Sequence, residues 1–410
     1  MKILLINKFL YFKGGDAIST LDTGKLLNNK GHEVYFWGMQ HPKNLKFSYS
    51  NYFVENIDYY SAKKTKTKLE LIFKILYSFE AKKKLEKFIK EVVKPDIIHL
   101  NNFAHQISPS ILDVFKKYKI PTVMTMHDYK LVCPSYTMLS KNRVCEKCKN
   151  GKYYWCFLKK CTKNSYSKSL INTIEMYLHH KILRIYDNID IFISPSKFLL
   201  EKVRQMGFKK DVFLLPNFVW IDDFKPQYSF QEKTICYFGR LSFEKGLFTL
   251  IEAVKDLDIK LKIIGEGPLK KDLEFKVQNL KITNIEFLGH KTAEELKDEI
   301  KKTMFVVLPS EWYENNPRSV LEAFALGKPV VGSRIGGIPE LVIDNYTGLT
   351  FEPKNVEDLR DKIVYLLKNT DKIIEFGKNA RKFVEENHNP EKHYQELIKI
   401  YQIAIKKNFN

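Results

Sequence analysis

Two glutamates, Glu314 and Glu322, stand close together in the chain with seven residues between them. An apolar run that ends at Pro309 precedes them, and Pro317 lies between them. This order predicts a strand, a loop and a helix, because proline suits the first helical position, where its missing N–H is no loss. Glu314 then lies at the carboxyl end of a strand, where open α/β sheets bind ligands and helix N–H groups favour anions. Solvated helix faces also carry glutamates, so it is the surrounding strand, loop and helix that favour a functional site over an ordinary surface.

Glycine and basic residues follow two other predicted strands. Gly14 and Gly15 come after the first strand, where glycine lets the backbone approach a phosphate and leaves N–H groups free. Arg240 and Lys245 flank the loop after a later strand, and these side chains suit a phosphate group. Ordinary turns and surfaces carry the same residue types. The glycines lack the Gly-x-Gly-x-x-Gly spacing, which argues against a dinucleotide dehydrogenase.

Apolar runs alternate with helical patterns along the chain, which predicts parallel sheets. The runs form two series, and the segment 213–226 between them is typical of a hinge. The first series comprises residues 3–6, 33–37, 96–100, 121–126 and 190–194. The second comprises residues 234–238, 260–264, 284–288, 304–309 and 329–333. We therefore expect two Rossmann-like domains.

Length and composition indicate a large α/β enzyme. With 410 residues the chain is long enough for two domains, and its 44% hydrophobic residues can fill two cores. No run approaches the roughly 18 apolar residues of a membrane span. The first apolar run is short and is followed by Lys8, so it is not typical of a secretory signal. These features predict a cytoplasmic protein.

Positive charge is concentrated in the first half of the chain. Residues 1–216 carry 38 basic and 18 acidic residues, whereas residues 217–410 carry 30 of each. The densest region, residues 63–94, combines 11 lysines with apolar residues at helical spacing. An ordinary solvated helix pair has this pattern, and so does a surface attracted to an anionic membrane or a lipid-linked acceptor. Nucleic acid is a third possible partner, but no nucleic-acid-binding signature is present.

Five of the six cysteines fall in one segment, about residues 133–165. Cys145 and Cys148 are separated by two residues, and Cys156 and Cys161 by four. Four thiolates at such spacings can surround zinc, and structural disulfides are disfavoured in a cytoplasmic chain. We expect a structural zinc site, with reduced structural thiols as the alternative.

The segments described so far resemble, in their order and spacing, the retaining glycosyltransferases of family 4. The resemblance covers nearly the whole chain and implies an α/β fold of the GT-B type, with two Rossmann-like parallel-sheet domains facing a central cleft. The implied domains are an acceptor domain at 1–216, a nucleotide-sugar domain at 217–388 and a helix at 389–410 that crosses back. The matching segments are 14–15, 127–128, 216–217, 239–246, 265–268, 288–290, 308–310 and 310–331.

The resemblance also implies roles for individual residues. Arg240 and Lys245 would hold the donor diphosphate, and Glu322 would bind the ribose hydroxyls. The implied catalytic residues are Glu314, which would face the donor sugar, and His127, which would reach that sugar from the first domain. Further nucleotide-sugar contacts are implied at Gly14, Gly15, Gly265, Glu266, Leu288, Asn316, Arg318 and Ser319. Residues 315–318 depart from the aromatic and glycine residues that many relatives have there.

The implied function is transfer of a hexose from a UDP- or GDP-sugar to a saccharide or lipid-linked acceptor, with retention of anomeric configuration. The acceptor would belong to a cell-surface polysaccharide such as a capsule, an O-antigen or an exopolysaccharide. Basic residues can neutralise the leaving diphosphate, so no cofactor is expected for catalysis. The expected place is the cytoplasm, at the inner face of the membrane, without nucleic acid as a partner. The alternatives are a zinc-containing nucleic-acid-binding protein and a non-catalytic sugar-nucleotide binder.

Overall fold

The computed structural model describes residues 1–56, 65–230 and 232–409, without the side chains of residues 65–69 and 409. Within this part, the chain forms two six-stranded parallel sheets and one antiparallel hairpin. The strands in chain order are β1 (Lys2–Ile6), β2 (Glu33–Trp37), β3 (Ile97–Leu100), β4 (Thr122–Thr125), β5 (Leu139–Ser140), β6 (Arg143–Val144), β7 (Ile191–Ser194), β8 (Val212–Leu214), β9 (Thr234–Phe238), β10 (Lys260–Ile264), β11 (Ile285–Gly289), β12 (Val306–Leu308), β13 (Val330–Ser333) and β14 (Gly348–Phe351).

The two sheets have related strand orders. The first is β2-β1-β3-β4-β7-β8, and the second is β11-β10-β9-β12-β13-β14. Their central strands are buried on both faces, which explains the continuous apolar runs in the sequence. The predicted fold, with two Rossmann-like parallel-sheet domains, is confirmed.

Helices cover both faces of each sheet. Their bounds are α1 (Gly15–Asn29), α2 (Thr65–Leu76), α3 (Phe79–Glu91), α4 (Leu112–Tyr118), α5 (Tyr154–Leu158), α6 (Tyr166–Tyr177), α7 (Lys197–Gln205), α8 (Leu247–Val254), α9 (Lys270–Asn279), α10 (Ala293–Lys302), α11 (Arg318–Ala325), α12 (Ile338–Leu341), α13 (Val356–Lys368), α14 (Thr370–Asn387) and α15 (Pro390–Phe409). A π-helical turn, Leu178–Ile182, continues α6.

Two hydrophobic cores divide the chain. The first extends from Ile3 to Leu215, and the second from Val219 to Val384. Four buried residues of α15 belong to the first core, so the last helix packs against the first domain; they are Leu397, Ile400, Tyr401 and Ala404.

Two strands differ from the sequence expectation. The predicted hinge 213–226 begins inside β8, a short edge strand in which Val212 is buried, Phe213 is partly buried and Leu214 is exposed. Strand β14 begins at Gly348, where a Cβ would lie 1.9 Å from the Val330 carbonyl oxygen. Gly348 and Thr350 alternate with its two apolar residues, so β14 does not form a continuous apolar run in the sequence.

Candidate functional site

The loop between β12 and α11 holds Glu314, which is almost fully buried. Its Oε1 accepts hydrogen bonds from the Lys245 ammonium at 2.5 Å and from the Ser310 hydroxyl at 2.6 Å. Burial raises the pKa of a carboxyl group, but the Lys245 charge and these hydrogen bonds outweigh it and lower the pKa of Glu314. Glu314 is therefore a buried carboxylate that a lysine from another loop keeps ionised.

Two glycines fix the backbone around this pair. Gly246, with φ +67°, follows Lys245, and a Cβ there would lie 1.8 Å from the Pro309 carbonyl oxygen. Gly336, with φ +63°, would bring a Cβ to 2.4 Å from the Glu314 carbonyl oxygen. A larger residue at either position would push the loop away, so both glycines keep Lys245 and Glu314 in contact.

Helix α11 begins directly after this loop, with Pro317 as its extended N-cap residue. Arg318 and Ser319 therefore bring N–H groups without helical partners to the site. Glu322 lies one turn further along, where burial raises its pKa and the Arg318 charge opposes the shift. The Arg318 guanidinium lies 3.7 Å from Glu322 Oε1 and 2.9 Å from Oδ2 of Asp22, a residue of α1 in the first domain.

Other predicted residues lie at the carboxyl ends of β9, β10 and β11. Arg240 is exposed, and its guanidinium has no polar partner among the residues that the structure describes. Gly265 has φ +139°, a backbone conformation that glycine favours. Glu266 is exposed and accepts a hydrogen bond from Lys270 at 2.7 Å, while Leu288 is partly buried. These residues surround the same edge of the sheet, and Arg240 is available to bind an anion.

His127 follows β4 at the carboxyl edge of the first sheet. Its Nε2 lies 2.8 Å from Oδ1 of Asn101. An amide oxygen only accepts, so Nε2 carries the hydrogen and Nδ1 is left as an acceptor. Burial lowers the pKa of His127, and the nearby charge of Asp16 opposes this shift. The imidazole is therefore neutral near pH 7 and can accept a hydrogen bond from a ligand.

Helix α1 begins at the same edge of the first sheet. Gly14 is its N-cap residue and Gly15 its first residue. A Cβ at Gly15 would meet nothing within 4 Å, and one at Gly14 would meet only Asp16 Oδ1, at 3.6 Å. The protein itself does not require glycine here, so the two residues leave space in front of the helix N-terminus, which suits an anion.

Asn315 connects the two edges. Its Nδ2 donates to the Met126 carbonyl oxygen at 3.0 Å, and its Oδ1 accepts from the Ser196 hydroxyl at 2.7 Å. Asn315 follows Glu314 in the chain, and Met126 precedes His127. This contact therefore places both predicted catalytic residues at one cleft between the domains.

Two family models together match nearly the whole chain. The Glycosyltransferase Family 4 model matches residues 13–223, and the Glycosyl transferases group 1 model matches residues 220–383. The chain is a family 4 glycosyltransferase. It is thus a transferase with the GT-B architecture, as the motifs of the sequence indicate.

Relatives and solved structures span the same length. An uncharacterized glycosyltransferase of Methanocaldococcus jannaschii is 27% identical over 376 residues, which cover 90% of each chain. A 42.6 kDa protein in the cps region of Klebsiella pneumoniae is 29% identical over 355 residues, 83% of this chain and 87% of the relative. Anabaena HepE, solved in complex with UDP-glucose, has a TM-score of 0.68 at 16% identity and covers 98% of this chain and 99% of its own. That last likeness concerns the fold alone.

This family 4 glycosyltransferase also holds charged residues at the cleft that the sequence did not single out. Burial lowers the pKa of Lys8, which follows β1, and the charges of Asp16 and Asp128 oppose the shift. Asp22 accepts a hydrogen bond from Trp220 at 3.1 Å besides its ion pair across the cleft. The sequence could have indicated Lys8 as a site residue, because it follows a buried strand directly. It could not have indicated Asp22, whose partners Arg318 and Trp220 come from distant parts of the chain.

The cysteines of the segment 133–165, an insertion in the first domain, lie close to one another. Cys148 and Cys156 are buried, and Cys145 and Cys161 are partly exposed. A hydrogen bond from the Cys161 thiol lowers the pKa of Cys156. In residues 1–56, 65–230 and 232–409, no group of three or more histidine, cysteine or acidic side chains is placed to hold a metal ion. The four-cysteine zinc site therefore stays a prediction.

The segment 63–94 exposes less unbalanced charge than its sequence indicates. Lys63 and Lys64 lie outside the described residues. Other lysines of the segment pair with carboxylates at 2.7 to 3.7 Å: Lys74 with Glu80, Lys82 with Asp113, Lys84 with Glu80, Lys87 with Glu91 and Lys90 with Glu86. None of the helices that the structure describes is long and apolar enough to cross a membrane.

Proposed function

We propose that this glycosyltransferase transfers a hexose from a UDP- or GDP-sugar, with retention, to a saccharide or lipid-linked acceptor of a cell-surface polysaccharide. The observation that carries the proposal is the ionised Glu314–Lys245 pair beside the N-terminus of α11, in a loop whose Asn315 contacts the residue before His127. HepE, which shares the fold with this chain, is solved with UDP-glucose, so a UDP-sugar is the first donor to test, and the relative in a cps region supports the polysaccharide.

The donor diphosphate has a suitable place at the N-terminus of α11. Arg318 and Ser319 offer backbone N–H groups there, and the helix dipole favours negative charge. Lys245 and the unpaired Arg240 would add two positive charges from the loop after β9. Together these groups would stabilise the leaving diphosphate as negative charge develops on it. Glu322, on the next turn of the helix, would accept hydrogen bonds from the two ribose hydroxyls.

The donor sugar would lie between the two domains. Asn316 Oδ1 is buried and has no hydrogen-bond partner among the described residues, so it can accept from a sugar hydroxyl. Glu314 would accept from further hydroxyls, and neutral His127 would accept through Nδ1. Lys245 and Ser310 hold Glu314, and Asn101 holds His127, before the sugar arrives, which keeps the reorganisation of these two side chains on binding small.

Retention would follow from attack on the face of the sugar that the diphosphate leaves. In this scheme the acceptor hydroxyl forms the new glycosidic bond as the bond to the diphosphate breaks. The hydroxyl proton passes to the departing phosphate oxygen. A double displacement would instead need a carboxylate nucleophile directly beneath the sugar. Glu314, already paired with Lys245, is assigned to binding rather than to that role.

The proposal is tested with purified protein and a panel of UDP- and GDP-sugars. Release of the nucleoside diphosphate identifies the donor, and NMR of the transferred sugar reports its anomeric configuration. We expect one donor to be strongly preferred and its configuration to be kept in the product. An inverted product would reject retention. Failure to turn over any donor, with saccharide and lipid-linked acceptors present, would reject the proposed activity.

A further inference from the structure

Helix α6 has the reverse of the usual amphipathic arrangement. Its buried side consists mostly of polar residues: Ser169, Asn172, Thr173, Glu175 and Met176. Its outer side exposes apolar residues, with Tyr166 52% exposed, Leu170 42% and Ile174 46%. A helix at a water-facing surface normally does the opposite. The outer side of α6 is therefore built to be covered.

The polar side of α6 is satisfied by the rest of the first domain. Asn172 Nδ2 donates to Thr162 Oγ1 at 3.0 Å, and the Ser169 hydroxyl accepts from the Thr162 N–H at 3.0 Å. The fully buried Glu175 pairs with Lys130 at 2.7 Å. These contacts fix the rotation of the helix, so its apolar residues cannot turn inward.

The apolar surface continues beyond the helix. Tyr166, Leu170, Ile174 and Ile182 follow one another at multiples of four residues, and Ile182, in the π-helical turn, is 72% exposed. Phe73 of the neighbouring α2 is 68% exposed. We call these five residues the α6 face. Singly exposed apolar residues are ordinary, but a stripe of this length marks an interaction surface.

Positive charge surrounds the α6 face. The segment 158–184 contains six basic residues, Lys159, Lys160, Lys163, Lys168, Lys181 and Arg184. Its one acidic residue, Glu175, is fully buried in the interior. The charges that this segment presents at the surface are thus all positive. Of these residues Arg184 pairs with Asp187 at 2.8 Å, just beyond the segment, whereas α3 pairs four of its lysines with carboxylates of its own and of α4.

We propose that the α6 face docks on an anionic phospholipid bilayer, with its apolar side chains in the interface and its lysines at the headgroups. An apolar stripe with a basic rim is the arrangement of helices that lie on membranes. A second copy of this chain is disfavoured as the occupant, because a symmetric contact would bring two basic rims together. The inference places the membrane contact at α6, and not at the 63–94 segment as a whole.

The membrane contact would bring the cleft near a lipid-linked acceptor, and only this purpose rests on the proposed function. Its test is independent of that function. Binding to vesicles is measured by co-sedimentation, and donor hydrolysis is measured in the same preparations without vesicles. If wild type turns over no donor even with saccharide and lipid-linked acceptors present, the transferase proposal is rejected and the docking proposal still stands.

Vesicles of phosphatidylcholine alone are compared with vesicles that contain phosphatidylglycerol. The test variants are the double substitution Leu170→Ser with Ile174→Ser, and the charge reversal Lys168→Glu. The matched control is Lys83→Glu, the same charge reversal at an exposed lysine of α3. We expect wild type and the control to bind anionic vesicles alike, and each test variant to bind at least roughly tenfold more weakly.

The outcomes are distinct. Binding should weaken steeply as salt rises, because the charge contribution is screened. Equal binding of all four proteins, or binding that ignores lipid charge, would overturn the proposal. Thermal unfolding shows whether each variant folds. If wild type is a dimer by analytical ultracentrifugation and the Leu170→Ser, Ile174→Ser variant is a monomer, the face is an interface between copies and the membrane proposal fails.

Discussion

Lys245 and Glu314 come from different loops of the second domain, yet they share a hydrogen bond of 2.5 Å in a buried site. Each side chain neutralises the charge of the other before any ligand binds. Without the lysine, the buried carboxylate would strongly destabilise the folded protein. The pair also presents one positive and one negative group to the cleft, which matches a diphosphate next to sugar hydroxyls. This arrangement motivates separate tests of the two carboxylates of the site.

The two glutamates are expected to affect different kinetic constants. Glu322→Gln should chiefly raise the KM for the donor, because contacts to the ribose are shared by the ground and transition states. Glu314→Gln should lower kcat by roughly tenfold or more, because Glu314 lies beside the reacting sugar. Steady-state kinetics with the preferred donor separates these effects. The reverse pattern would exchange the two assigned roles.

The pH dependence of turnover tests the ion pair. The pKa of Glu314 is lowered, so the stabilisation from its pair with Lys245 is complete above the ordinary carboxyl pKa. It is lost as the pH falls through the lower pKa of the folded protein. In Lys245→Met burial would dominate, and the pKa of Glu314 would rise. The acid limb of the kcat profile should therefore move to higher pH.

Glu314→Gln provides the control for this profile, since a glutamine does not titrate and the shifted limb should be absent. Profiles of wild type and Lys245→Met with coinciding acid limbs would show that Glu314 does not govern turnover.

At the scale of elements, the sequence predicted most of the strands and missed the orientation of one helix. Strands buried on both faces form continuous apolar runs, which is why the central strands of both sheets were located. Strands that contain exposed residues or glycine, such as β8 and β14, do not form continuous apolar runs, so the sequence did not locate them. The apolar residues of α6 show where a helix is but not which side faces the core, because buried polar partners such as Lys130 come from distant positions.

Besides its residues in the first core, a buried hydrogen bond anchors helix α15 in the first domain. The Tyr401 hydroxyl lies 2.8 Å from Nδ1 of His99, and burial lowers the pKa of His99 to about 3. Tyr401→Phe should lower the free energy of unfolding by about 1–3 kcal/mol, because a buried ring nitrogen loses its hydrogen-bond partner. Tyr394→Phe, on the same helix but at the partly exposed contact with His32, is the control and should cost less. Chemical denaturation of both variants measures the difference, and equal losses would contradict the anchoring role.

The cysteine insertion makes a prediction about metal content. If Cys145, Cys148, Cys156 and Cys161 hold zinc, protein from zinc-replete cells should contain about one zinc ion per chain. X-ray absorption should then show sulfur ligands in tetrahedral geometry. Metal-free protein in which all thiols react with a titrant would favour reduced structural thiols instead. These cysteines interact with one another, but among the residues that the structure describes no group of three or more metal-ligand side chains is placed to hold an ion, so metal analysis decides.

At the scale of the whole molecule, the two domains meet through polar contacts around the cleft. Arg318 pairs with Asp22, and Glu340 of the second domain accepts from the N–H groups of Lys197 and Phe198 at the start of α7. The motifs of the sequence located one half of the site in each domain. They could not show which residues join the halves, because such contacts depend on how the domains meet and not on local pattern.

The cysteine-containing insertion of the first domain also contacts the second domain. Tyr313, next to Glu314, donates to Glu146 of the insertion at 2.8 Å, and Lys202 donates to the same carboxylate at 2.8 Å. The first domain thus contacts the loop that carries the central ion pair. A donor that bridges the domains would close the same interface, so donor binding and domain closure are expected to be coupled.

The most direct test of the account is a calorimetric titration of UDP and GDP into wild type, Arg240→Ala, Lys245→Ala and Lys233→Ala. Lys233 serves as the control, because it is an exposed lysine that pairs with Asp258 and directly precedes β9, at the amino ends of the strands and away from the site. We expect wild type and the control to bind one of the two nucleotides equally well. Arg240→Ala and Lys245→Ala should each bind it at least roughly tenfold more weakly, because the diphosphate loses a charged partner. Equal affinity in all four proteins, or no binding of either nucleotide to wild type, would contradict the assignment of the donor site.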